Sequence, residues 1–213
     1  MLIQGEERAS GGGGIENRSI DAVLTVIDTT ISNNTSGNAG GGIWAVGGNT
    51  TSGAITTLIG VTFSGNTALN NGGAIKQETV GSLTITNSTL SGNTANGGGG
   101  GISASNGTIT INNSTIASNT GTNAGGGILL ESASATANVN SSIVANNVSS
   151  SGPDIAILAG TLNASNSLIE DGTINGTNTN NITATDPGLA PNGLQNNGGV
   201  TQTIALENGS PAI

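Results

Sequence analysis

The sequence offers few side chains that could act as an acid, a base, a nucleophile or a metal ligand. Its 213 residues include three Lys and Arg, twelve Asp and Glu, and no His or Cys. Without His and Cys, a Ser-His-Asp triad, a Cys–His pair and a zinc site of thiolates or imidazoles are excluded. The chemistry left open is the hydrolysis of glycosides by paired carboxylates, or the elimination of uronates by a basic residue beside bound calcium.

The basic residues of the sequence are Arg8, Arg18 and Lys76. Arg8 and Arg18 lie near the N-terminus, by an incomplete first copy of the repeat described below. Lys76 follows a Gly-Gly-Ala-Ile segment. Glu78 lies two residues after Lys76, which predicts a solvated ion pair at the surface, of little energetic weight. We therefore expect none of the three to act as the base of a polysaccharide lyase.

The acidic residues are also poorly arranged for catalysis. Glu170 and Asp171 are adjacent in the sequence. Successive residues on a strand point to opposite faces, so these two converge only if a turn lies between them. Asp28 is expected to make a turn-forming hydrogen bond, as Asn does at the equivalent position of other repeats. No catalytic residue is predicted, and the one cofactor considered is calcium, at isolated acids such as Asp154 or Asp186.

The charge of the chain argues against two classes of partner. The net charge is −9, whereas binding to nucleic acid or to anionic lipid requires clustered cations. No segment approaches the length of a membrane span, and Met1–Glu7 lacks the basic and apolar regions of a signal peptide. The partner considered is a polysaccharide, or the surface of a host or neighbouring cell, and the sequence does not indicate an oligomeric state.

One sequence repeat occurs about six times along the chain. Its twelve-residue core begins at residues 24, 56, 83, 109, 137 and 162, so the steps are 32, 27, 26, 28 and 25 residues long. Alternation with period two and the lack of a helical period predict one solenoid coil per repeat. The predicted fold is all-β, a right-handed parallel β-helix (pectin-lyase-like) of about six coils with an irregular C-terminal cap.

The pattern within the repeat predicts which positions face inward. The first, third and eighth positions of the core are expected to stack on their equivalents in the next coil. The shift from odd to even positions requires a bend, where stacked Asn side chains can bond along the stack. The bend is placed at Asp28, Gly60, Asn87, Asn113, Ser141 and Asn166. A second polar column marks the next corner: Asn34, Asn66, Asn93, Asn119 and Asn147.

Gly-rich runs that end in Ile separate the copies and are expected to need a positive φ or a close backbone approach. Residues 1–10 are predicted to form an N-terminal tail or partial coil, 11–173 the β-helix, and 174–213 a cap that folds over the last coil. The longer first repeat adds a loop around residues 44–54. Trp44, the only Trp, is where a sugar would stack, unless it fills a gap beside that loop.

Two parts of the sequence resemble known families. Phe63-Ser-Gly-Asn66, followed by Gly72-Gly73-Ala74-Ile75, resembles the FxxN and GGAI motifs of chlamydial polymorphic outer-membrane protein repeats. The segment Asp186–Ile213 resembles the end of choice-of-anchor Q β-helix domains, which often occur with CSLREA-type regions in large bacterial proteins. The resemblance implies an extracellular or outer-membrane-associated location, with the export signal and the anchor outside this chain.

The repeats, the scarcity of catalytic groups and the resemblance together predict a non-catalytic structural or adhesive module of a secreted or cell-surface bacterial protein. A carbohydrate-active enzyme of the pectin-lyase-like superfamily is the first alternative, and convergent carboxylates in one groove would indicate it. An ice-binding module is the second, since Thr25, Thr57, Thr84 and Thr110 form an outward column. That function would require a flat and regular face.

Overall fold

The computed structural model describes residues 1–9, 11–47 and 52–213. These residues contain strands, turns and bends but no helix, and accordingly no helix that could cross a membrane. Four parallel sheets run along the molecule, and each receives one strand from every coil it spans. Together they form a parallel β-helix of about six coils, which confirms the predicted fold class.

The wide sheet has the longest strands of the stack, and its strands from β4 to β23 pair without a register shift. It consists of β4 (Val23–Ile27), β8 (Ile55–Ile59), β12 (Ser82–Thr86), β16 (Gly107–Asn112), β20 (Ala135–Asn140), β23 (Thr161–Ser165) and β25 (Asn178–Thr179). Leu24 lies opposite Thr56, which lies opposite Leu83. This is the register predicted for the first position of the core.

The bend sheet follows the wide sheet in every coil. It consists of β1 (Leu2–Gln4), β5 (Thr30–Ser32), β9 (Thr62–Ser64), β13 (Thr89–Ser91), β17 (Thr115–Ala117), β21 (Ile143–Ala145), β24 (Leu168–Ile169) and β26 (Ile182–Thr183). The residue that connects the two sheets has a positive φ, for example 46° at Asp28 and 50° at Asn87. The predicted position of the bend is therefore confirmed.

Two shorter sheets complete each coil. The corner sheet consists of β2 (Glu7–Arg8), β6 (Thr35–Ser36), β10 (Thr67–Ala68), β14 (Thr94–Ala95) and β18 (Thr120–Gly121). The glycine sheet consists of β3 (Ile15–Asn17), β7 (Ile43–Ala45), β11 (Ile75–Gln77), β15 (Ile102–Ala104), β19 (Ile128–Leu130) and β22 (Ile155–Ile157). The glycine runs connect the corner sheet to the glycine sheet.

The turn that precedes the corner sheet differs from the prediction by one residue. Positive φ values occur at Asn33, Gly65, Gly92, Ser118 and Asn146. The predicted column, which begins at Asn34, comes directly after them and is buried. The residue before each Asn of the predicted column therefore makes the corner, and the Asn itself points into the stack.

The core is built from stacked aliphatic side chains. Phe63 is the largest fully buried side chain, and it lies between Ile31 and Leu90 of the adjacent coils. Ile43 and Ile75 stack in the same way at the start of the glycine sheet. Burial of these columns supplies the apolar area that a core with almost no aromatic residues needs.

Both ends of the chain extend the stack. At the N-terminus β1 pairs with β5 and β2 with β6, so the first residues form a partial coil. At the C-terminus β25 pairs with β23 and β26 with β24, which continues the stacking ten residues past residue 173. A partial coil thus lies where the sequence predicted the start of an irregular cap.

The remaining tail runs along the side of the β-helix, next to the bend sheet. Its hairpin pairs β27 (Leu189–Gln195) with β28 (Thr203–Leu206). Near the turn, the Thr201 hydroxyl donates to Gly60 O at 3.0 Å, and Thr62 Oγ1 donates to Gln202 O at 2.6 Å. Gly60 and Thr62 belong to the second coil, so the tail runs back across most of the stack and is held by one hydroxyl of its own and one of the bend sheet.

Candidate functional site

The second polar column forms a continuous ladder of side-chain amides. The Nδ2 groups of Asn34, Asn66, Asn93 and Asn119 each donate to Oδ1 of the Asn in the next coil, at 2.9, 2.9, 2.9 and 3.0 Å. The same Oδ1 atoms accept the backbone N–H of the preceding Asn. All of these side chains are buried, and each is satisfied within the protein, as buried amides require. In the bend column, the predicted stacking is found at the end of the stack, where Asn180 Nδ2 donates to Asn166 Oδ1 at 3.3 Å.

The ladder ends at a carboxylate. Asn147 donates its Nδ2 and its backbone N–H to Asp154 Oδ1, at 2.8 and 3.0 Å, and Asp171 N–H donates to Asp154 Oδ2 at 2.7 Å. The sixth repeat has Gly172 at the Asn position, and Asp154 supplies the missing acceptor from the preceding glycine run. Burial raises the pKa of Asp154 to about 6, although the hydrogen bonds from Asn147 and Asp171 favour its ionised form.

The glycine runs allow the ladder to lie close to the next coil. A Cβ on Gly127 would lie 2.9 Å from Asn147 Nδ2 and 2.5 Å from Asp154 O. In the Gly72-Gly73-Ala74-Ile75 segment, Gly72 has a φ of +74°, and a Cβ on Gly73 would lie 2.3 Å from Gly100 O. Ala74 and Ile75 are fully buried. The residues of this motif therefore have structural roles in the stack.

A second, shorter ladder of hydroxyls was missed by the sequence analysis. Ser114 Oγ, Ser142 Oγ and Ser167 Oγ each accept the backbone N–H of the residue one coil before, at 3.1 Å. These Ser follow the bend residue directly, at the sixth position of the core. The recurrence of a small hydroxyl residue at this position was the signal that could have revealed the ladder.

On the outer face of the glycine sheet, charged and aromatic side chains share one column. Glu16 lies opposite Trp44, which lies opposite Lys76. Glu16 pairs with Arg18 at 2.7 Å and with Arg8 at 3.8 Å. Trp44 is 8% exposed, and its Nε1–H donates to Glu78 Oε2 at 2.6 Å. Little of the Trp44 ring is therefore accessible to a sugar, and residues 48–51 of the expected neighbouring loop lie outside the described residues.

Lys76 does not form the predicted surface pair with Glu78. The side chain is buried, and its Nζ lies 2.5 Å from Glu131 Oε1, 3.0 Å from Ser103 Oγ and 2.7 Å from Ser105 Oγ. Glu78 is instead occupied by Trp44. The prediction was wrong because the Lys76 side chain reaches Glu131 two coils away, while Glu78 accepts the indole N–H of Trp44 from the preceding coil.

Three carboxylates line one cavity of about 400 Å³, namely those of Asp154, Glu170 and Asp171. A turn brings the adjacent pair Glu170 and Asp171 to the same cavity, as the sequence analysis required for convergence. However, both oxygens of Asp154 accept hydrogen bonds that close the ladder, and Glu170 Oε2 accepts Asn146 N–H at 2.8 Å. Two of the three carboxylates are thus engaged in hydrogen bonds to backbone N–H groups of the coils.

The acids considered as calcium ligands are engaged in local hydrogen bonds. Asp186 Oδ1 accepts Gly188 N–H at 2.8 Å, and Asp154 accepts the three donors described above. Within residues 1–9, 11–47 and 52–213, His, Cys, Asp and Glu form no group of three or more that could hold a metal ion.

The outward face of the wide sheet carries the Thr column in register. Thr25, Thr57, Thr84 and Thr110 lie opposite one another in consecutive coils. The flanking column is mixed, because it begins with Ile27 and Ile59 and continues with Thr86 and Asn112: the irregularity expected from the sequence is present in the structure.

The match to a known family covers two of the coils described above. Residues 28–46 and 60–77 match the model of the Chlamydia polymorphic membrane protein (Chlamydia_PMP) repeat. Each segment contains a bend residue, an Asn of the ladder and the glycine run that follows it. No curated protein and no solved structure gives a match. In these two segments the chain is thus similar to the polymorphic membrane protein repeat, within a parallel β-helix that continues the same columns through its later coils.

Proposed function

We propose that this chain is a non-catalytic structural or adhesive β-helix module of a secreted or cell-surface bacterial protein. The polymorphic membrane protein repeat suggests a family of the outer membrane or cell surface. The resemblance of the tail to choice-of-anchor Q and CSLREA-type proteins favours the same setting and is part of the proposal.

The proposal rests chiefly on the outward face of the wide sheet. From β4 to β23 its outward side chains are Thr, Ser, Asn, Ile and Val, and no charged residue occurs among them. The aliphatic members Val23, Ile27, Ile55 and Ile59 are 37 to 70% exposed and lie in the first two coils. A rigid face that offers hydroxyls, amides and methyl groups suits contact with a neutral polymer such as a glycan.

Binding and cleavage of polysaccharides distinguish this proposal from an enzyme. The purified chain is incubated with a panel of polysaccharides, and both its retention and the appearance of new chain ends are measured. We expect retention without cleavage. New chain ends that disappear in Glu170→Gln would overturn the proposal in favour of a carbohydrate-active enzyme, since Glu170 lines the acidic cavity.

A charge placed on the wide sheet tests where the contact lies. Asn138 points outward from β20 and is partly exposed, so Asn138→Glu introduces a carboxylate into the uncharged face and should abolish retention. Asn70→Glu introduces the same charge at an exposed position away from the wide sheet and should leave retention unchanged. Equal loss in both variants would show that the wide sheet is not the contact.

A further inference from the structure

An amine, a carboxamide and a carboxylate meet on the outer face of the glycine sheet. Lys76 Nζ lies 2.5 Å from Glu131 Oε1, and Asn71 Nδ2 lies 3.0 Å from the same oxygen. Asn71 precedes the glycine run, Lys76 is the central residue of β11, and Glu131 follows β19 two coils later. A single carboxylate oxygen therefore holds the amine and the carboxamide next to each other.

The surroundings orient the amine of Lys76. The side chain is 5% exposed, and its three N–H groups point to Glu131 Oε1, Ser103 Oγ and Ser105 Oγ. If Glu131 removes the proton directed at it, the lone pair left on Nζ faces Glu131 Oε1, the same oxygen to which Asn71 Nδ2 is bound. An amine becomes a nucleophile when an adjacent base takes its proton, and here the base also positions the electrophile.

Glu131 is held as the carboxylate, the form that can take up a proton. Burial alone would raise its pKa, but the charge of Lys76 and the hydrogen bonds from Lys76, Ser103 and Ser105 together hold the pKa below its ordinary value. The side chain is therefore ionised at neutral pH. Its second oxygen, Oε2, accepts the Ser105 hydroxyl at 2.9 Å, which fixes the orientation of the carboxylate.

The carboxamide of Asn71 is polarised from the opposite side. Gly98 N–H donates to Asn71 Oδ1 at 2.8 Å. A backbone N–H in this position stabilises the negative charge that develops on the oxygen when an amide carbon is attacked. A cavity of about 370 Å³, lined by Asn71, Gly97, Gly98 and Glu131 among others, adjoins the site. It provides space for a small leaving group such as ammonia.

We propose that Lys76 and Asn71 form an intramolecular isopeptide bond, with Glu131 as the proton carrier. Glu131 takes a proton from the Lys76 ammonium, and the Nζ lone pair forms a bond to Asn71 Cγ. The Cγ–Nδ2 bond then breaks, and Nδ2 leaves as ammonia with the proton that Glu131 returns. The ammonium and the carboxamide become a secondary amide and ammonia plus a proton, without any oxidant, metal or co-reactant.

The bond would close a covalent ring around the Gly72-Gly73-Ala74-Ile75 segment. Asn71 and Lys76 flank this segment, whose backbone lies in close contact with the next coil. The ring would fix the arc that positions β11 in the glycine sheet. Glu131 stays a carboxylate in the product and keeps an acceptor for the remaining N–H of Nζ.

Mass and amine reactivity test the proposal on the full chain. Lys76 is the only Lys in the sequence, so the fate of a single ε-amine can be followed. We expect the folded protein to weigh less than its sequence by one ammonia. After denaturation, an amine-acylating reagent should label the N-terminus but not Lys76. Tandem mass spectrometry of a Glu-C digest should give a peptide in which residues 71 and 76 are joined.

Variants separate the reaction from other sources of the mass change. Glu131→Gln keeps the shape of the side chain but cannot carry the proton, so it should retain the full mass and a reactive Lys76. Asn71→Ala should do the same. Asn70→Ala, next to the site but outside it, should still form the bond, as should Glu78→Gln, which removes the carboxylate two residues after Lys76.

Three results would overturn the proposal. The first is a folded wild-type chain of full mass with a reactive Lys76. The second is the loss of one water, which indicates an amide to Glu131. The third is the loss of ammonia with Lys76 still reactive, since Asn71 precedes Gly72 and a succinimide at this bond also releases ammonia. A succinimide would persist in Lys76→Arg, whereas the isopeptide bond cannot form there.

Discussion

At the scale of single residues, the Asn ladder holds the coils in register: each Oδ1 from Asn66 to Asn147 accepts two hydrogen bonds, and each Nδ2 donates at least one. Asn93 Oδ1 accepts from the N–H and Nδ2 of Asn66, while its own Nδ2 donates to Asn119 Oδ1 and to Phe63 O. A shorter or longer side chain at this position would leave several buried groups without partners.

Asn93→Ala tests the contribution of one amide of the ladder. The substitution leaves two donors of Asn66 and the Oδ1 of Asn119 short of a partner in a buried site, and each such group costs about 1–3 kcal/mol. We expect the free energy of unfolding in urea to fall by about 3 kcal/mol or more. Asn70→Ala, at an exposed Asn, should change it by less than about 0.5 kcal/mol. Similar values for the two variants would contradict the argument.

Asp154 makes the stability of the last coils dependent on pH. Its pKa in the folded chain, about 6, lies above the ordinary value of 3.8. The folded state therefore binds the proton more tightly than the unfolded state, and the stabilisation is present below about pH 4 and lost as the pH rises through about 6. The expected loss is on the order of 2–3 kcal/mol.

The pH effect is measured by urea unfolding at several pH values in the wild type and in Asp154→Asn. The Asn variant keeps an acceptor for Asn147 but cannot titrate, so the difference between the two curves isolates Asp154. Between about pH 4 and 6 the wild type should lose stability relative to the variant. Parallel curves, or a wild type that gains stability over this range, would refute the assignment.

At the scale of strands and turns, periodicity predicted the inward columns. A period of two and a repeat of about 27 residues allow only one stacking of the strands. The stacking of Leu24, Thr56 and Leu83 follows from it. The partner of Lys76 could not be found in this way, since Glu131 lies 55 residues away. That pairing depends on which side chains of successive coils are long enough to meet, and a pattern within one repeat does not contain this information.

Gly100→Ala tests the role of close backbone contact in the glycine runs. The new Cβ would lie 2.5 Å from Gly126 O and from Thr120 C, and backbone atoms of a stacked coil cannot move aside independently. We expect a loss of about 3 kcal/mol in the free energy of unfolding, as for an overpacked core.

Gly92→Asn is the matched control for the glycine runs. Gly92 has a φ of +69° but only one heavy atom near its missing Cβ, at 4.0 Å. Asn33 and Asn146 hold the same column with φ values of 55° and 57°. The substitution should therefore change stability by less than about 0.5 kcal/mol. If it were as harmful as Gly100→Ala, the dihedral angle and not the close contact would be the main constraint.

At the scale of the whole molecule, the tail acts as a strap along the bend sheet. Its last residues, Pro211, Ala212 and Ile213, line a cavity together with Ile143, Leu168 and Ile182, and its hairpin turn reaches the second coil. Sequence analysis placed this segment over the end because exposed strand edges invite further pairing. The tail covers a face of the stack, and β25 and β26 extend two of the sheets beyond the sixth repeat.

Deletion of Asp186–Ile213 tests the role of the strap. We expect the coils to keep their β-sheet circular dichroism, while the uncovered side chains of Ile143 and Leu168 increase the binding of a hydrophobic dye and promote aggregation. Thr201→Val removes only one hydrogen bond of the tail and should remain monomeric. A truncated chain that is monomeric and melts at the temperature of the full chain would rule out this role.

The Asn ladder also gives the molecule an electrical polarity. Each backbone N–H of the column can only donate, so it must face an oxygen, and every amide of the ladder consequently points its Nδ2 the same way along the axis. Aligned amide dipoles add, as they do along an α-helix. Their positive pole falls at Asn147, where the chain places the anion of Asp154. The charge distribution of the stack therefore has a direction along the axis, as its backbone does.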